Sequence, residues 1–319
     1  MSRLLFYPQS FGLNNVIIKD LMLKTNCSTL VVSDDAFIED VQVLWFAFKW
    51  SNMTKRYRGR TIVRILESIY CYLRLLRVAL LSNVRMTVVF NVVNWLPWEY
   101  GVIRLLSCAG VNVEFVLHDW NDEQWENGAY RYAMRRATVA SLLSRHKVYS
   151  LSREFELNNE STVIKFPKIS FPEDCAQGVS MKDIDFCFFG TYREDKSIES
   201  LLYYPWLRGR LVIGGSGYPK EVIDRFQLAG WTVLDGFVSN YDLFTFLQRS
   251  KFLLLPYVGG SASAWPQIAG FFGCIPLMSK SQAFIDYRKV VPSEYHLEKI
   301  IRSGKCPKYS ETDYFKNYG

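Results

Sequence analysis

The clearest indication of the fold is residues 252–279, FLLLPYVGGSASAWPQIAGFFGCIPLMS. The opening apolar run predicts a buried strand, and a loop of small residues follows it. A helix is expected from Pro266, since proline is favoured at the first helical position, and Gly273 suits its end before a second apolar run. We therefore predict one strand–helix–strand unit of a parallel sheet, in which loop amides and the hydroxyls of Ser261 and Ser263 can hold an anion.

The same alternation runs along nearly the whole chain and predicts an α/β fold with parallel sheets and helices on both faces. Predicted strands cover residues 4–7, 29–33, 86–93, 113–117, 148–151, 162–166, 184–189, 211–213, 232–234, 252–255 and 275–278. Predicted helices cover residues 14–24, 62–80, 99–109, 130–143, 219–229, 241–248, 266–272 and 295–303. A link at 167–180 separates two domains, 1–167 and 181–300, and the tail 301–319 either crosses back to the first domain or frays.

The composition narrows the class of protein. The 319 residues are 49% apolar and 22% charged, a balance that excludes disorder as the main state. Seven cysteines without a C-x-x-C pair, and three histidines, argue against a zinc site and for a reducing compartment. The net charge of +7 favours anionic partners. Since no secretion signal or spanning helix is visible, we expect a cytoplasmic protein, with peripheral membrane attachment as an option.

Two strand ends carry candidate site residues. The run 113–117 ends in His118 and Asp119, where the imidazole can donate to a phosphate or sugar and the carboxylate can act as a general base. A capped loop beside a core histidine is the alternative. The run 184–189 ends in Gly190, followed by Arg193 and Lys196, two cations that can neutralise a diphosphate beside a helix N-terminus. Solvated cations paired with acidic neighbours are the alternative there.

A third strand end, after 211–213, leads into the turn Gly214-Gly215-Ser216-Gly217. The turn is not a dinucleotide-binding fingerprint, because Lys220 stands at the third glycine position. It is not a P-loop either, because no Gly-Lys-Ser/Thr follows. Ligand binding and simple tight-turn chemistry both account for it.

A basic stretch at 54–60 precedes a predicted amphipathic helix. Its apolar residues recur at spacings of three and four and so share one face, with arginines on or near the opposite side. The apolar set is Ile62, Ile65, Leu66, Ile69, Leu73, Leu76 and Leu80, and the arginines are Arg60, Arg64, Arg74 and Arg77. Residues 54–80 therefore either pack on the first sheet with a solvated outer face or bind an anionic membrane surface. A nucleic-acid partner is not expected, because no recognised binding motif is present.

The order of these motifs resembles that of the GT-B glycosyltransferases, which hold a nucleotide-sugar between two facing Rossmann-like domains. The pattern looks most like the retaining family 4. The matching motifs, over about residues 85–280, are His118-Asp119, Gly190 with Arg193 and Lys196, Gly215-Ser216-Gly217, Gly236-Phe237-Val238 and Gly273-Cys274-Ile275-Pro276. The run from Ser250 is also similar to the donor half of exostosin-like transferases. The resemblance implies an acceptor-side domain at 1–167 and a nucleotide-sugar-binding domain at 181–300.

The resemblance also implies a donor site, with two departures. Family 4 has two glutamates at the positions that hold Gly260 and Ile268 here. It also has an arginine directly after the glycine that matches Gly190, where this sequence has Thr191. Gln267 is the neighbour that we expect at the ribose. The implied donor-binding residues are Gly190, Arg193, Lys196, Gly215, Phe237, Val238, Gly260, Ser261, Ser263 and Gln267.

The implied reaction moves a sugar from a nucleotide-diphosphate-sugar to a hydroxyl of a glycan or lipid-linked acceptor, as in polysaccharide biosynthesis. No metal cofactor is expected, because the Asp183-Ile184-Asp185 pair enters a predicted strand instead of leaving one. Asp119 is the expected base if the reaction inverts the anomeric carbon. If it retains configuration, the donor phosphate serves as base and His118 holds the donor. Because the two glutamates are missing, a catalytically inactive nucleotide- or glycan-binding protein is the alternative.

Overall fold

The computed structural model describes residues 2–7, 17–32, 43–46, 60–81, 86–91, 95–117, 136–151, 161–164, 167–169, 171, 181–260, 263–310 and 314–315. The chain divides into two compact units, Met1–Ser170 and Phe171–Gly319. The division falls inside the link expected at 167–180. Each unit is built on one parallel β-sheet.

The first unit contains a seven-stranded sheet in the order β3-β2-β1-β4-β5-β6-β7, with every neighbouring pair parallel. Its strands are β1 (Ser2–Tyr7), β2 (Thr29–Val32), β3 (Val43–Phe46), β4 (Met86–Phe90), β5 (Asn112–Leu117), β6 (Lys147–Ser150) and β7 (Ser161–Val163). Its described helices are α1 (Ile18–Thr25), α2 (Arg60–Leu81), α3 (Pro97–Cys108) and α4 (Arg136–Leu143).

Both faces of this sheet are covered, as expected for parallel strands rich in apolar residues. Buried residues of α2, α3 and α4 form one core with strand residues such as Phe90 and Phe115. Buried residues of α1 form a second core with the opposite side chains of the sheet, Val89 and Val116 among them. The helices α2, α3 and α4 therefore make a single layer on one face of the sheet.

The helix α2 faces the sheet differently from what its apolar spacing predicts. The residues that pack into the core are Cys71, Tyr72, Leu75 and Ala79. Three leucines of the predicted core stripe instead lie on the solvent side, with Leu66, Leu73 and Leu80 exposed at 54%, 55% and 58%. The expectation that the stripe and the arginines occupy opposite sides is wrong for these leucines, because the core uses a different set of mainly apolar residues on the same helix.

The second unit contains a five-stranded sheet in the order β10-β9-β8-β11-β12, also parallel throughout. Its strands are β8 (Ile184–Phe189), β9 (Leu211–Gly215), β10 (Trp231–Asp235), β11 (Ser250–Leu255) and β12 (Ile275–Met278). Its described helices are α5 (Lys220–Leu228), α6 (Asn240–Arg249), α7 (Trp265–Phe271) and α8 (Leu297–Ser303). Short 3-10 turns follow β8, at Glu194–Lys196 and Ile198–Tyr203.

Local sequence explains several element ends in this unit. The hydroxyl of Ser239 caps α6 by accepting a hydrogen bond from the amide of Asp242 at 3.1 Å. Gly273 has φ of +64°, a left-handed conformation that suits glycine just beyond a helix end. The described part of the tail packs on this same unit, where the hydroxyl of Tyr309 donates to the carbonyl of Gly273 at 2.9 Å.

The predicted elements agree closely with the described ones. Strands β8 and β12 match the predicted bounds to the residue, and the other predicted strands and helices overlap described elements. Strand β3 was not predicted. Among the described helices, none combines the length and the hydropathy needed to cross a bilayer.

Candidate functional site

The candidate site lies where β8, β9 and β11 end, which we call the carboxyl edge of the second sheet. Strand β8 is central, with β9 on one side and β11 on the other. The chain first runs from β8 outward through β9 to β10, then returns to add β11 and β12. Such a reversal of strand order opens a crevice at the carboxyl edge, which is where open parallel sheets bind ligands.

Two backbone turns meet closely at this edge. The amide of Gly190, just after β8, donates to the carbonyl of Gly214 at 3.0 Å. A Cβ atom on Gly215 would lie 1.9 Å from the carbonyl oxygen of Gly190, so no larger residue fits there without movement. The hydroxyl of Tyr218 donates to the same Gly190 carbonyl at 3.2 Å. The absence of side chains at these glycines therefore lets the two strand ends approach closely.

Lys196 places a positive charge directly above this junction. Its Nζ lies 2.7 Å from the point where a Cβ on Gly190 would stand, and 5.8 Å from the centroid of the Tyr257 ring. Burial, and after it the nearby charge of Arg193, lower the pKa of the ammonium to about 8, while the charge of Asp195 acts in the opposite direction. Within the described part of the chain, Lys196 makes no hydrogen bond or ion pair. An anion at the edge would supply the missing partner.

Arg193 stands beside Lys196 but has a partner within its own turn. Its Nε and Nη2 donate to the two carboxylate oxygens of Asp195 at 2.9 and 2.6 Å. The side chain of Arg193 is 45% exposed, so the pair can open toward solvent at small cost. The arginine is thus placed to contact a ligand held by Lys196, in competition with Asp195.

The turn that carries these cations is joined to the loop after β11. The carbonyl of Asp195 accepts hydrogen bonds from the amides of Val258 and Gly259, at 2.8 and 3.1 Å. These two amides are therefore used inside the protein, and the anion cradle expected from the loop begins only at Gly260. Gly260 has φ of +96°. A Cβ atom built on it would lie 3.9 Å from a carboxylate oxygen of Asp195.

The remaining predicted donor residues fall on both sides of the junction. Ser263 is buried, and its hydroxyl accepts from the amide of Trp265 at the start of α7. Gln267 is buried as well, and its Nε2 donates to the Tyr287 hydroxyl at 3.1 Å, which fixes the amide inside the unit. Ser261 lies outside the described residues.

On the β9 side, the amide of Gly236 donates to the carbonyl of Gly215 at 2.8 Å, which holds the next loop against the junction. Val238 follows closely, since its Cγ2 lies 3.2 Å from the Cβ position of Gly214. Phe237 is 80% exposed and presents a flat apolar ring near the edge. The loop therefore contributes one packed and one exposed apolar side chain.

The catalytic candidates His118 and Asp119 lie outside the described residues, directly after β5 ends at Leu117. Their roles stay predictions. The acidic pair Asp183 and Asp185 is described and lies at the opposite, amino end of β8. Hydrogen bonding to Arg249 lowers the pKa of Asp183 to about 2. Both carboxylates are held in ion pairs far along the strand from the Gly190 junction.

Sequence reasoning missed the tyrosines that surround the junction. Tyr192 and Tyr218 have ring centroids 5.6 Å apart, and Tyr257 lies under Lys196. The signal was present, because Tyr218 follows the glycine turn directly and Tyr257 comes two residues after β11. A tyrosine near a strand end is too common to be singled out without knowing which strands are neighbours.

Comparisons with known proteins agree on the fold. No protein-family model matches the sequence, and no curated protein sequence matches it significantly. Solved structures match over nearly the whole chain. The catalytic domain of starch synthase IV from Arabidopsis thaliana, bound to ADP and acarbose, has a TM-score of 0.60 at 11% identity, covering 96% of this chain and 92% of that one.

Two more structures give the same result. Sucrose-phosphate synthase from Thermosynechococcus elongatus has a TM-score of 0.59 at 11% identity, covering 95% of this chain and 90% of that one. An E. coli trehalose-6-phosphate structure bound with UDP-2-fluoro glucose has a TM-score of 0.54 at 10% identity, covering 95% and 96%. These comparisons support the GT-B class, and the finer resemblance to family 4 and to exostosin-like transferases stays a prediction. The chain has two α/β units, each built on a parallel sheet, and it resembles these glycosyltransferase structures over nearly its whole length. It therefore has the GT-B glycosyltransferase fold.

Proposed function

We propose that this chain is a glycosyltransferase that moves a sugar from a nucleotide-diphosphate-sugar to a hydroxyl of a glycan or lipid-linked acceptor. The observation that carries the proposal is Lys196, a partly buried ammonium with no described anionic partner, held over Gly190 at the carboxyl edge. A desolvated cation is costly to keep, and an anionic ligand removes that cost. A diphosphate is the anion that a donor sugar brings.

The chemistry follows from this charge. During transfer the bond between the anomeric carbon and the diphosphate oxygen breaks, and the electron pair leaves with the diphosphate. A bond then forms between the same carbon and the acceptor oxygen, which gives its proton to a base. Lys196 and Arg193 stabilise the growing charge on the leaving group in a partly desolvated site. We assign the base role to Asp119 if the reaction inverts, and to the donor phosphate, with His118 holding the donor, if it retains.

We further infer that the reaction needs no metal ion, because the two side-chain cations can neutralise the leaving diphosphate. The proposed donor site places Gly190 and Gly215 at the phosphates and Phe237 and Val238 toward the nucleoside. Gly260, Ser261 and Ser263 complete it on the other side. Gln267 is buried with its amide on the Tyr287 hydroxyl, so it would have to turn outward to reach the ribose. Support comes from the neighbours, of which one is bound with UDP-2-fluoro glucose and another with ADP.

The test is nucleotide binding followed by transfer. We expect UDP, ADP or GDP to raise the melting temperature of the full chain, since a ligand of the folded state stabilises it. Lys196→Met should abolish the shift, whereas Lys305→Met, which removes an exposed lysine of the same unit, should keep it. Activity should survive EDTA. No shift with any nucleoside diphosphate would refute the proposal.

One observation favours a second candidate, a nucleotide- or glycan-binding protein without catalysis. The positions of the two family glutamates hold Gly260, which carries no side chain, and Ile268, which is buried at 2% exposure. Neither residue supplies a carboxylate of its own. A nucleotide-dependent shift without release of the sugar from any donor, with acceptor or with water, would establish this alternative.

A further inference from the structure

Helix α2 carries apolar residues on its solvent-facing side as well as on the side that packs into the core. Five large apolar residues face outward along the helix, namely Leu66, Tyr70, Leu73, Leu80 and Leu81, each at least half exposed. At 100° per residue these positions fall on one side of the helix, opposite Tyr72 and Leu75 of the core. Single exposed leucines are ordinary, whereas a continuous stripe on one helix marks an interaction surface.

The exposed charged side chains that the structure describes on this surface are all basic. Arg77 is exposed on the same side of α2 as Leu73, and Arg74 is exposed at the edge of the apolar stripe, beside Leu81. Among the side chains described on α2, α3 and α4, the single carboxylate is Glu99, and it is buried. The outer face of the helix layer is therefore apolar and basic, the combination found on helices that lie in the interface of anionic membranes.

The neighbouring helix extends the same surface. Helix α3 packs beside α2, and both cover the same face of the sheet, so their outer sides point the same way. Leu105 is 55% exposed on α3, and Arg104 is exposed next to it. A groove of about 600 Å³ between α3 and α4 is lined by Arg104 and Arg145 together with hydroxyls of Thr138 and Ser141. It can take an anionic headgroup.

We propose that the outer face of α2 and α3, with the adjoining groove, docks the protein on an anionic membrane. The leucines enter the headgroup boundary, and Arg77, Arg104 and Arg145 contact lipid phosphates. A second copy of the chain fits less well, because a two-fold contact would bring arginines of both copies to one interface. The inference goes beyond the proposed function and does not depend on it, since it concerns a different unit.

Flotation of the full chain with vesicles tests the docking. At about 50 mM NaCl the protein should float with vesicles of phosphatidylcholine containing phosphatidylglycerol and stay unbound with phosphatidylcholine alone. Raising the salt concentration should weaken the partitioning, because salt screens the attraction between the arginines and the anionic lipids. Each interfacial arginine contributes roughly fivefold to the partition coefficient. Arg77→Gln should reduce partitioning by about that factor, and Leu73→Glu with Leu80→Glu by about tenfold or more.

Matched control variants separate docking from folding. Leu23 is 74% exposed on α1, on the opposite face of the same sheet, so Leu23→Glu should float as the wild type does. Circular dichroism and melting temperatures should match for all variants, because every changed residue is exposed. Equal flotation of Leu23→Glu and the double variant at wild-type level would overturn the proposal. So would absence of binding to anionic vesicles, or a dimer that Leu73→Glu dissociates.

Discussion

Replacing Lys196 by methionine should make the protein more stable while it loses nucleotide binding. The pKa of Lys196 falls from its usual 10.5 to about 8 in the folded chain. Since a tenfold change in proton affinity corresponds to about 1.4 kcal/mol, holding the charged form costs about 3 kcal/mol at pH 7. Loss of the contact with the Tyr257 ring offsets about 1 kcal/mol. We therefore expect Lys196→Met to raise the free energy of unfolding by about 2 kcal/mol, or roughly 4–8 °C in melting temperature.

The pH dependence has a definite sign. Between about pH 8 and pH 10.5 the unfolded chain binds this proton and the folded chain does not, so wild-type stability rises with pH in that window. The stability advantage of Lys196→Met should shrink over the same window. Nucleotide affinity should also fall above pH 8, because the folded protein then loses the ammonium that the diphosphate needs.

The assay is thermal and urea unfolding of both proteins at several values between pH 7 and pH 10, with and without UDP. If the two units unfold in separate transitions, the transition that UDP moves to higher temperature in the wild type is assigned to the second unit, which holds the proposed nucleotide site. Lys305→Met is the matched control and should change neither the stability nor its pH dependence. A Lys196→Met variant that is less stable than the wild type at pH 7, or whose difference from it stays constant with pH, would refute the reasoning.

Three further changes probe other contacts. Gly215→Ala should cost about 1–3 kcal/mol and weaken nucleotide binding, because the new Cβ would stand 1.9 Å from the carbonyl of Gly190. Asp183→Asn should flatten the loss of stability as the pH falls from about 4 to 2. In the wild type the unfolded chain protonates this carboxyl near pH 4, whereas its pKa in the folded chain is about 2, so the stabilisation it gives is lost across that range. Arg3→Met should cost about 3–5 kcal/mol, because it leaves the buried carboxylate of Glu114 without its bidentate partner. Urea unfolding measures all three.

Each of these has its own control. Gly101 on α3 has no atom within 4 Å of its Cβ position, so Gly101→Ala should not destabilise, and an equal loss there would contradict the steric argument. An unchanged acid slope in Asp183→Asn would show that other groups dominate. Adding Glu114→Gln to Arg3→Met should recover much of the stability. If it does not, the loss comes from packing of the arginine stem instead of the stranded charge.

The sheets could be predicted from sequence because buried parallel strands are short apolar runs bounded by turn residues. Strand β3, Val43–Phe46, was missed since its run VLWF continues into further apolar residues without a turn signal. The facing of α2 was mistaken for a related reason. With apolar residues on both sides of a helix, periodicity gives a stripe but does not say which side the core takes.

The candidate site was predictable in its glycines and not in its contacts. Gly190 and Gly215 follow strands directly, so their place at the carboxyl edge follows from the alternation alone. The approach of Lys196 to Tyr257 joins residues 61 positions apart, and the use of the Val258 and Gly259 amides by Asp195 depends on main-chain geometry. Neither leaves a pattern in the sequence.

The bond from Asp195 to the loop after β11 has a consequence for how the sequence can drift. Its acceptor is a peptide carbonyl and its donors are peptide amides, so most amino acids at 195 or 258 can keep these hydrogen bonds. Position 259 is tighter, because a Cβ there would lie 3.1 Å from the Cβ of Asp195. Proline is the exception, because it has no amide hydrogen. Val258→Pro should therefore release the turn that carries Arg193 and Lys196. Most other substitutions at 258 should keep the hydrogen bond, so related sequences need not share a recognisable residue at this position.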